Sequence, residues 1–149
     1  MDYAELRSRI GALVAGETDI VALMATVACE VHHFDARFDW TGFYRVTAPG
    51  HLKIGPYQGG HGCLDIPFER GVCGAAARTG EVQRVDDVEA FPGHIACAAS
   101  TRSELVLPVW NGAGALIGVF DIDSDRPAAF TDEDAEALGA MLEEVFGRC

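Results

Sequence analysis

Apolar positions along the chain follow two periods, 3.6 near both ends and 2 in the middle. Leu6, Ile10, Leu13 and Val14 recur at helical spacing and predict a first helix over 3–14, stopped by Gly16. Ile20, Leu23, Met24, Val27, Ala28 and Val31 predict a second, with Thr18 as its cap. Ala135, Leu138, Met141, Leu142 and Val145 predict a final helix, opened by Thr131 and closed by Gly147. Between them, aromatic and β-branched runs predict strands at 39–46, 52–54, 82–85, 105–110 and 116–124. Ala48-Pro49-Gly50 turns the chain, and Asn111-Gly112 predicts a tight hairpin between the last two strands. A short helix over 71–79 is stopped by Gly80, and the glycine-rich run 55–63 reads as a loop. Helices at both ends around hairpin-linked strands predict an α+β fold. Its centre is a mainly antiparallel sheet of about six strands, flanked by helices from both termini.

Composition narrows this to one globular domain spanning 1–149, with 49% hydrophobic and 23% charged residues. A net charge of -12 argues against nucleic acid and anionic membrane surfaces as partners. No apolar run is long enough to span a bilayer, and Met1-Asp2-Tyr3-Ala4-Glu5 lacks the basic-then-apolar order of a secretory signal. The expectation is therefore a cytoplasmic protein with reduced thiols, in which a disulfide is catalytic rather than structural.

The chain carries five cysteines: Cys29, Cys63, Cys73, Cys97 and Cys149. None belongs to a CxxC pair, so zinc-site spacing is absent and neither a metal nor a cofactor is expected. A metal site assembled in space with His61 or His94 is the less favoured reading. Cys29 sits beside the apolar stripe of the second helix and reads as structural. His32-His33, at that helix's end, suits its dipole better than a metal. Cys63, Cys73 and Cys97 lie among glycines and alanines, a setting that suits thiol–disulfide exchange. Phe91-Pro92-Gly93 puts Cys97 in a loop just before a strand. Asp121 and Asp123 alternate along one strand and share a face, and Glu104 stands at the mouth of its hairpin neighbour. Carboxylates so grouped are costly unless they bind a cation or share a proton. Their spacing suits an ammonium group plus a proton donor.

These residues also resemble a known family. Trp40-Thr41-Gly42-Phe43-Tyr44, Gly55-Pro56-Tyr57-Gln58-Gly59, Ile66-Pro67-Phe68 with Gly71-Val72-Cys73-Gly74, Phe91-Pro92-Gly93-His94-Ile95-Ala96-Cys97, Ser103-Glu104 and Asp121-Ile122-Asp123-Ser124 are similar to the free methionine-(R)-sulfoxide reductases, enzymes built on a GAF domain. The ordered set covers residues 20 to 134 and is specific, although each motif alone is weak. The resemblance implies a GAF fold and reduction of free methionine (R)-sulfoxide, with thioredoxin as reductant and, by analogy with GAF domains, a homodimer. It implies Cys97 as nucleophile, Cys63 as first resolving thiol, and Cys73 as a second or as the exit to thioredoxin. It implies Glu104, Asp121 and Asp123 as holders of the substrate's polar atoms, with Trp40 and Tyr44 walling its methyl group. Glu104 or Asp123 would be the acid that binds the sulfoxide oxygen, which ends as water, and Asp121 would take the ammonium. The pattern departs at Ala98, where family members usually carry Asp after the nucleophilic cysteine. The alternative function is a non-catalytic GAF module that binds a small ligand or senses redox state through its thiols.

Overall fold

The computed structural model describes residues 1–149. Helices α1 (Tyr3–Leu13), α2 (Ile20–His32), α3 (Gly71–Thr79) and α4 (Asp132–Phe146) surround strands β1 (Trp40–Ala48), β2 (His51–Gln58), β3 (Asp65–Pro67), β4 (Gln83–Val85), β5 (Ser103–Trp110) and β6 (Leu116–Ser124). The six strands form one sheet in the order β3-β2-β1-β6-β5-β4. Every neighbouring pair is antiparallel.

Both faces of the sheet centre are covered, and strand alternation assigns each residue its side. Phe43 of β1, Leu105 and Leu107 of β5, and Phe120 and Ile122 of β6 point into a core closed by α1, α2 and α4. Phe43 lies 4.5 Å from Phe120 and 5.5 Å from Phe146, centroid to centroid. Trp40 and Tyr44 of β1, Val106 of β5 and Val119 of β6 point the other way, where α3 packs with Val72, Cys73, Ala76 and Ala77. No helix is long and apolar enough to cross a membrane.

Local chemistry moves several boundaries from their predicted places. The second helix is capped by Asp19, whose side chain accepts from the Val21 amide at 3.0 Å, and not by Thr18. The expected loop at 55–63 begins later, because Gly55–Gln58 continue β2. A register shift between Gly42 and Tyr44 accommodates Pro56, which cannot donate to the ladder. The turn after β5 is not a two-residue Asn-Gly hairpin. Asn111 accepts from the amides of Ala113 and Ala115, and Gly114, at φ +82, takes the left-handed position. Strand β5 begins at Ser103, so Glu104 lies inside the ladder rather than before it. The short strand β3 carries no periodic signal of its own and is held by pairing with β2.

One polar cluster ties the termini together. Asp134, the third helical residue of α4, is 2% exposed. It accepts from Tyr3 at 2.5 Å, from both Arg37 terminal nitrogens at 2.8 and 3.1 Å, and from the Thr131 amide at 2.8 Å. Removing Asp134 unpairs the Tyr3 hydroxyl, breaks the capping box of α4 and leaves Arg37 with Asp35 as its single ion partner. Asp134→Ala is therefore expected to lower unfolding free energy by about 3 kcal/mol in urea titration. A loss under about 1 kcal/mol would show that the cluster is decorative.

Candidate active site

A pocket opens on the α3 face of the sheet, and three strands build its floor. Glu104 of β5 is the direct cross-strand partner of Asp123 on β6, and Asp121 of β6 lies opposite Gly42 of β1. Alternation places all three carboxylates on the same face. Glu104 is 6% and Asp121 4% exposed. The Oδ1 atoms of Asp121 and Asp123 are buried and accept no hydrogen bond. Cys73, in the first turn of α3, points its thiol at Glu104 Oε2, 3.9 Å away.

Trp40 and Tyr44 form one wall, stacked with ring centroids 5.9 Å apart. Trp40 is fixed further by donation from Nε1 to the Gly60 carbonyl at 2.7 Å and by stacking on Tyr57. Its ring lies where a side chain at position 42 would be: a Cβ on Gly42 would sit 2.7 Å from Trp40 Cη2. Glycine at that position is thus a condition of the aromatic wall.

The rim belongs to two loops. One follows β2 and carries His61 and Cys63; the other, after a single 3-10 turn at Val88–Ala90, carries His94 and Cys97. Cys63 and Cys97 form a disulfide with Cα atoms 5.3 Å apart. The Gly71 amide donates to the Gly93 carbonyl at 3.0 Å, pinning the second loop to the start of α3. Phe91 and Ile95 of that loop pack on the apolar cluster beneath it.

The family model for the GAF domain matches residues 15–145. The free methionine-R-sulfoxide reductase of Escherichia coli is 41% identical over 143 residues, covering 96% of this chain and 86% of that protein. The chain belongs to the free methionine-R-sulfoxide reductases. The crystal structure of that reductase from Neisseria meningitidis, in complex with its substrate, superposes with a TM-score of 0.89 at 42% identity, covering 97% of this chain and 87% of that one. The reduced form of the Staphylococcus aureus protein gives a TM-score of 0.92 at 34% identity, covering 97% of this chain and 93% of that one. The expected GAF fold is the fold observed.

Of the residues that the reductase motifs single out, Trp40, Tyr44, Cys73, Cys97, Glu104, Asp121 and Asp123 line this one pocket, and Cys63 is joined to it by the disulfide. Ile66, Val72, Ile95 and Thr101 line it as well and went unnoticed as site residues in the sequence. Ordinary apolar side chains and a lone threonine carry no signal of their own. His61 and His94, weighed in sequence only as remote metal ligands, stand on the rim beside the paired cysteines. A visible cue was present: each histidine closely precedes a cysteine of the disulfide, in His61-Gly62-Cys63 and His94-Ile95-Ala96-Cys97.

The floor is electrostatically strained. Burial, then the charges of Asp123 and Glu104, hold Asp121 well above the ordinary carboxylate range. Burial and Glu104 do the same to Asp123. Burial, then Asp121 and Glu104, push the Cys73 thiol up, so it stays protonated. The Tyr44 hydroxyl is likewise kept neutral by burial and the carboxylates. The cluster thus retains protons that exposed carboxylates would release.

That strain has a definite sign. A carboxyl with a raised folded-state pKa gives stability that is full below the ordinary value of 3.8 and lost as pH climbs. Asp121→Asn removes the liability. Its melting temperature should match the parent near pH 4 and exceed it by about 5 °C near pH 8, equivalent to about 2 kcal/mol at this chain length. A gap that narrows as pH rises would contradict the assignment.

Proposed function

We propose that this protein reduces free L-methionine (R)-sulfoxide to L-methionine through a sulfenic acid and disulfide on its own cysteines. One observation carries the reading. A disulfide-forming cysteine, an aromatic wall and unpartnered buried carboxylates converge on a single pocket. Each feature suits a different part of that substrate.

Asp121 has a buried oxygen without a donor, and a substrate ammonium supplies three. Trp40 and Tyr44 give the apolar surface on which a thioether methyl group rests. Asp123, the cross-strand partner of Glu104, keeps its proton through burial and offers it to the sulfoxide oxygen. The Cys97 thiolate attacks sulfur. The adduct, its oxygen protonated by the neighbouring carboxyl, passes that oxygen to the Cys97 sulfur; the transient S–S bond and the S–O bond to the substrate break, methionine leaves, and Cys97 is a sulfenic acid. Cys63 then attacks the Cys97 sulfur, the disulfide forms, and the oxygen departs as water. A dithiol such as thioredoxin restores both thiols, in keeping with a cytoplasmic setting. Cys73, on the floor and beside Glu104, is the second resolving thiol or the relay to the reductant. No metal or cofactor takes part in these steps. Ala98, on the pocket lining, adds a methyl group where the family usually adds a charge.

Replacing Cys97 by Ser should abolish even a single turnover, since a neutral hydroxyl is a far weaker nucleophile than a thiolate. Cys63→Ser should still release one equivalent of methionine in a rapid-mix experiment, then stall with a trappable sulfenic acid. Methionine release by the Cys97 variant would transfer the nucleophile role elsewhere.

Selectivity tests the carboxylates. Acylating the substrate nitrogen removes the charge that Asp121 pairs with, and polar sites reject analogues lacking the partner group. The N-acetyl (R)-sulfoxide should show kcat/KM at least about a hundredfold below the free amino acid, and Asp121→Asn should narrow that gap. Equal values for the two substrates on the parent protein would sink the proposed ammonium site, and turnover of the S epimer alone would sink the stereochemical assignment.

A further inference from the structure

In the disulfide form, the pocket still holds one free thiol. Cys73 is 4% exposed, and it is flanked by acids. One ligand atom each from Cys73, Glu104 and Asp121 lie within 4.8 Å of one another. Asp121 adds an independent sign of a missing partner, because its Oδ1 is buried and accepts nothing. We propose that Cys73, Glu104 and Asp121 form a zinc-binding site on the pocket floor, where the metal competes with the substrate's ammonium group and inhibits the enzyme.

The donor set selects the metal class. One thiolate with two carboxylates gives three protein ligands, and the open fourth position faces the pocket, where water completes a tetrahedron. Magnesium and calcium want six or more oxygens and gain nothing from sulfur, whereas zinc takes thiolate readily. The 3.9 Å between Cys73 Sγ and Glu104 Oε2 needs only a small closure to match the edge of such a tetrahedron. Binding exchanges bonds without redox change. The Cys73 S–H proton and the proton retained by Asp121 leave to solvent as the S–Zn and O–Zn bonds form, and the zinc charge balances the thiolate and carboxylates. An ammonium group uses the same Asp121 oxygen but cannot use the thiol. Zinc and the amino acid therefore exclude each other.

The test uses the full chain in its disulfide form with Cys29→Ser and Cys149→Ser, which leaves Cys73 as its single free thiol. Calorimetric titration with zinc chloride should give one zinc per chain at micromolar concentration with proton release, of which Cys73→Ser removes one proton. Cobalt(II) should give a thiolate-to-metal charge-transfer band, which reports Cys73 without any substitution of it. Cys73→Ser should abolish the band and weaken zinc by at least about a hundredfold, and Asp121→Asn by at least about tenfold. Adding the product methionine should raise the apparent zinc Kd. Methionine titrated onto zinc-free protein is measured separately, so a pocket that binds no amino acid counts against the reductase reading and not against the metal site. No stoichiometric binding at micromolar zinc, no cobalt–thiolate band, or affinity that survives Cys73→Ser each overturns the proposal. Zinc affinity indifferent to methionine, on a protein that binds methionine, overturns the competition.

Discussion

The gathering of three carboxylates on one face of a sheet, Glu104 and Asp121 buried and Asp123 partly so, is the constraint to which the rest of the molecule answers. Such a group is costly wherever water is excluded and no cation is present. Strand register makes it unavoidable here. Glu104 faces Asp123 across β5 and β6, and Asp121 follows two residues earlier on the same side. The same residues cannot drift to the other face, because alternation would then put Phe120, Ile122 and Leu105 into the pocket. The apolar core beneath the sheet therefore holds the acids where they would not settle on their own. The protein accepts lower stability at neutral pH in return for an oxygen that waits for a donor.

The surroundings fit that constraint. Gly71, Gly74 and Ala75 to Ala77 of α3, all buried, let the helix lie close against the acidic floor and shield it. Gly42, the strand partner of Asp121, leaves space that the Trp40 ring fills. A dry floor raises the carboxyl and thiol pKa values together, since burial is the first cause in each case. It also strengthens any charge pairing formed there. Asp134, equally hidden from the surface, shows the opposite outcome. Burial pushes its pKa up, but donation from Arg37, Tyr3 and the Thr131 amide outweighs that and leaves it lowered. The donors that Asp134 has, and that the Oδ1 atoms of Asp121 and Asp123 lack, separate it from the acids of the pocket floor.

Much of this was legible in the sequence. The periodic stripes of α1, α2 and α4 and the alternation in β6 are consequences of one-sided burial, and each marks its element. The chemistry was legible because rare residue types carry it: five cysteines, and two aspartates interrupting an apolar strand. What escaped was set by contacts distant in sequence. Gly55–Gln58 reads as loop by composition, yet pairing with β1 and a bulge at Pro56 make it strand. Glu104 reads as a strand-mouth residue until the ladder with Asp123 draws it inside. Asn111-Gly112 carries a hairpin signal, but the Asn111 side chain satisfies two amides and opens the turn by three residues. The apolar pocket lining at Ile66, Val72 and Ile95 has no local mark distinguishing it from core.

In the proposed reaction, binding and redox groups sit on parts of different stiffness, and the two tasks require that division. The carboxylates and aromatics stand on central strands, locked by pairing on both sides. Groups that must meet a ligand within tenths of an ångström belong there. Cys63 and Cys97 stand instead on loops from different parts of the chain, one leaving β2 and one pinned to α3 through Gly71 and Gly93. A cysteine that first meets a substrate sulfur and then another cysteine has to occupy two positions, and loops allow this at little cost. Only the rim needs to move between the two steps. The floor can then stay fixed throughout, which leaves the buried Asp121 Oδ1 without a donor until a cation enters.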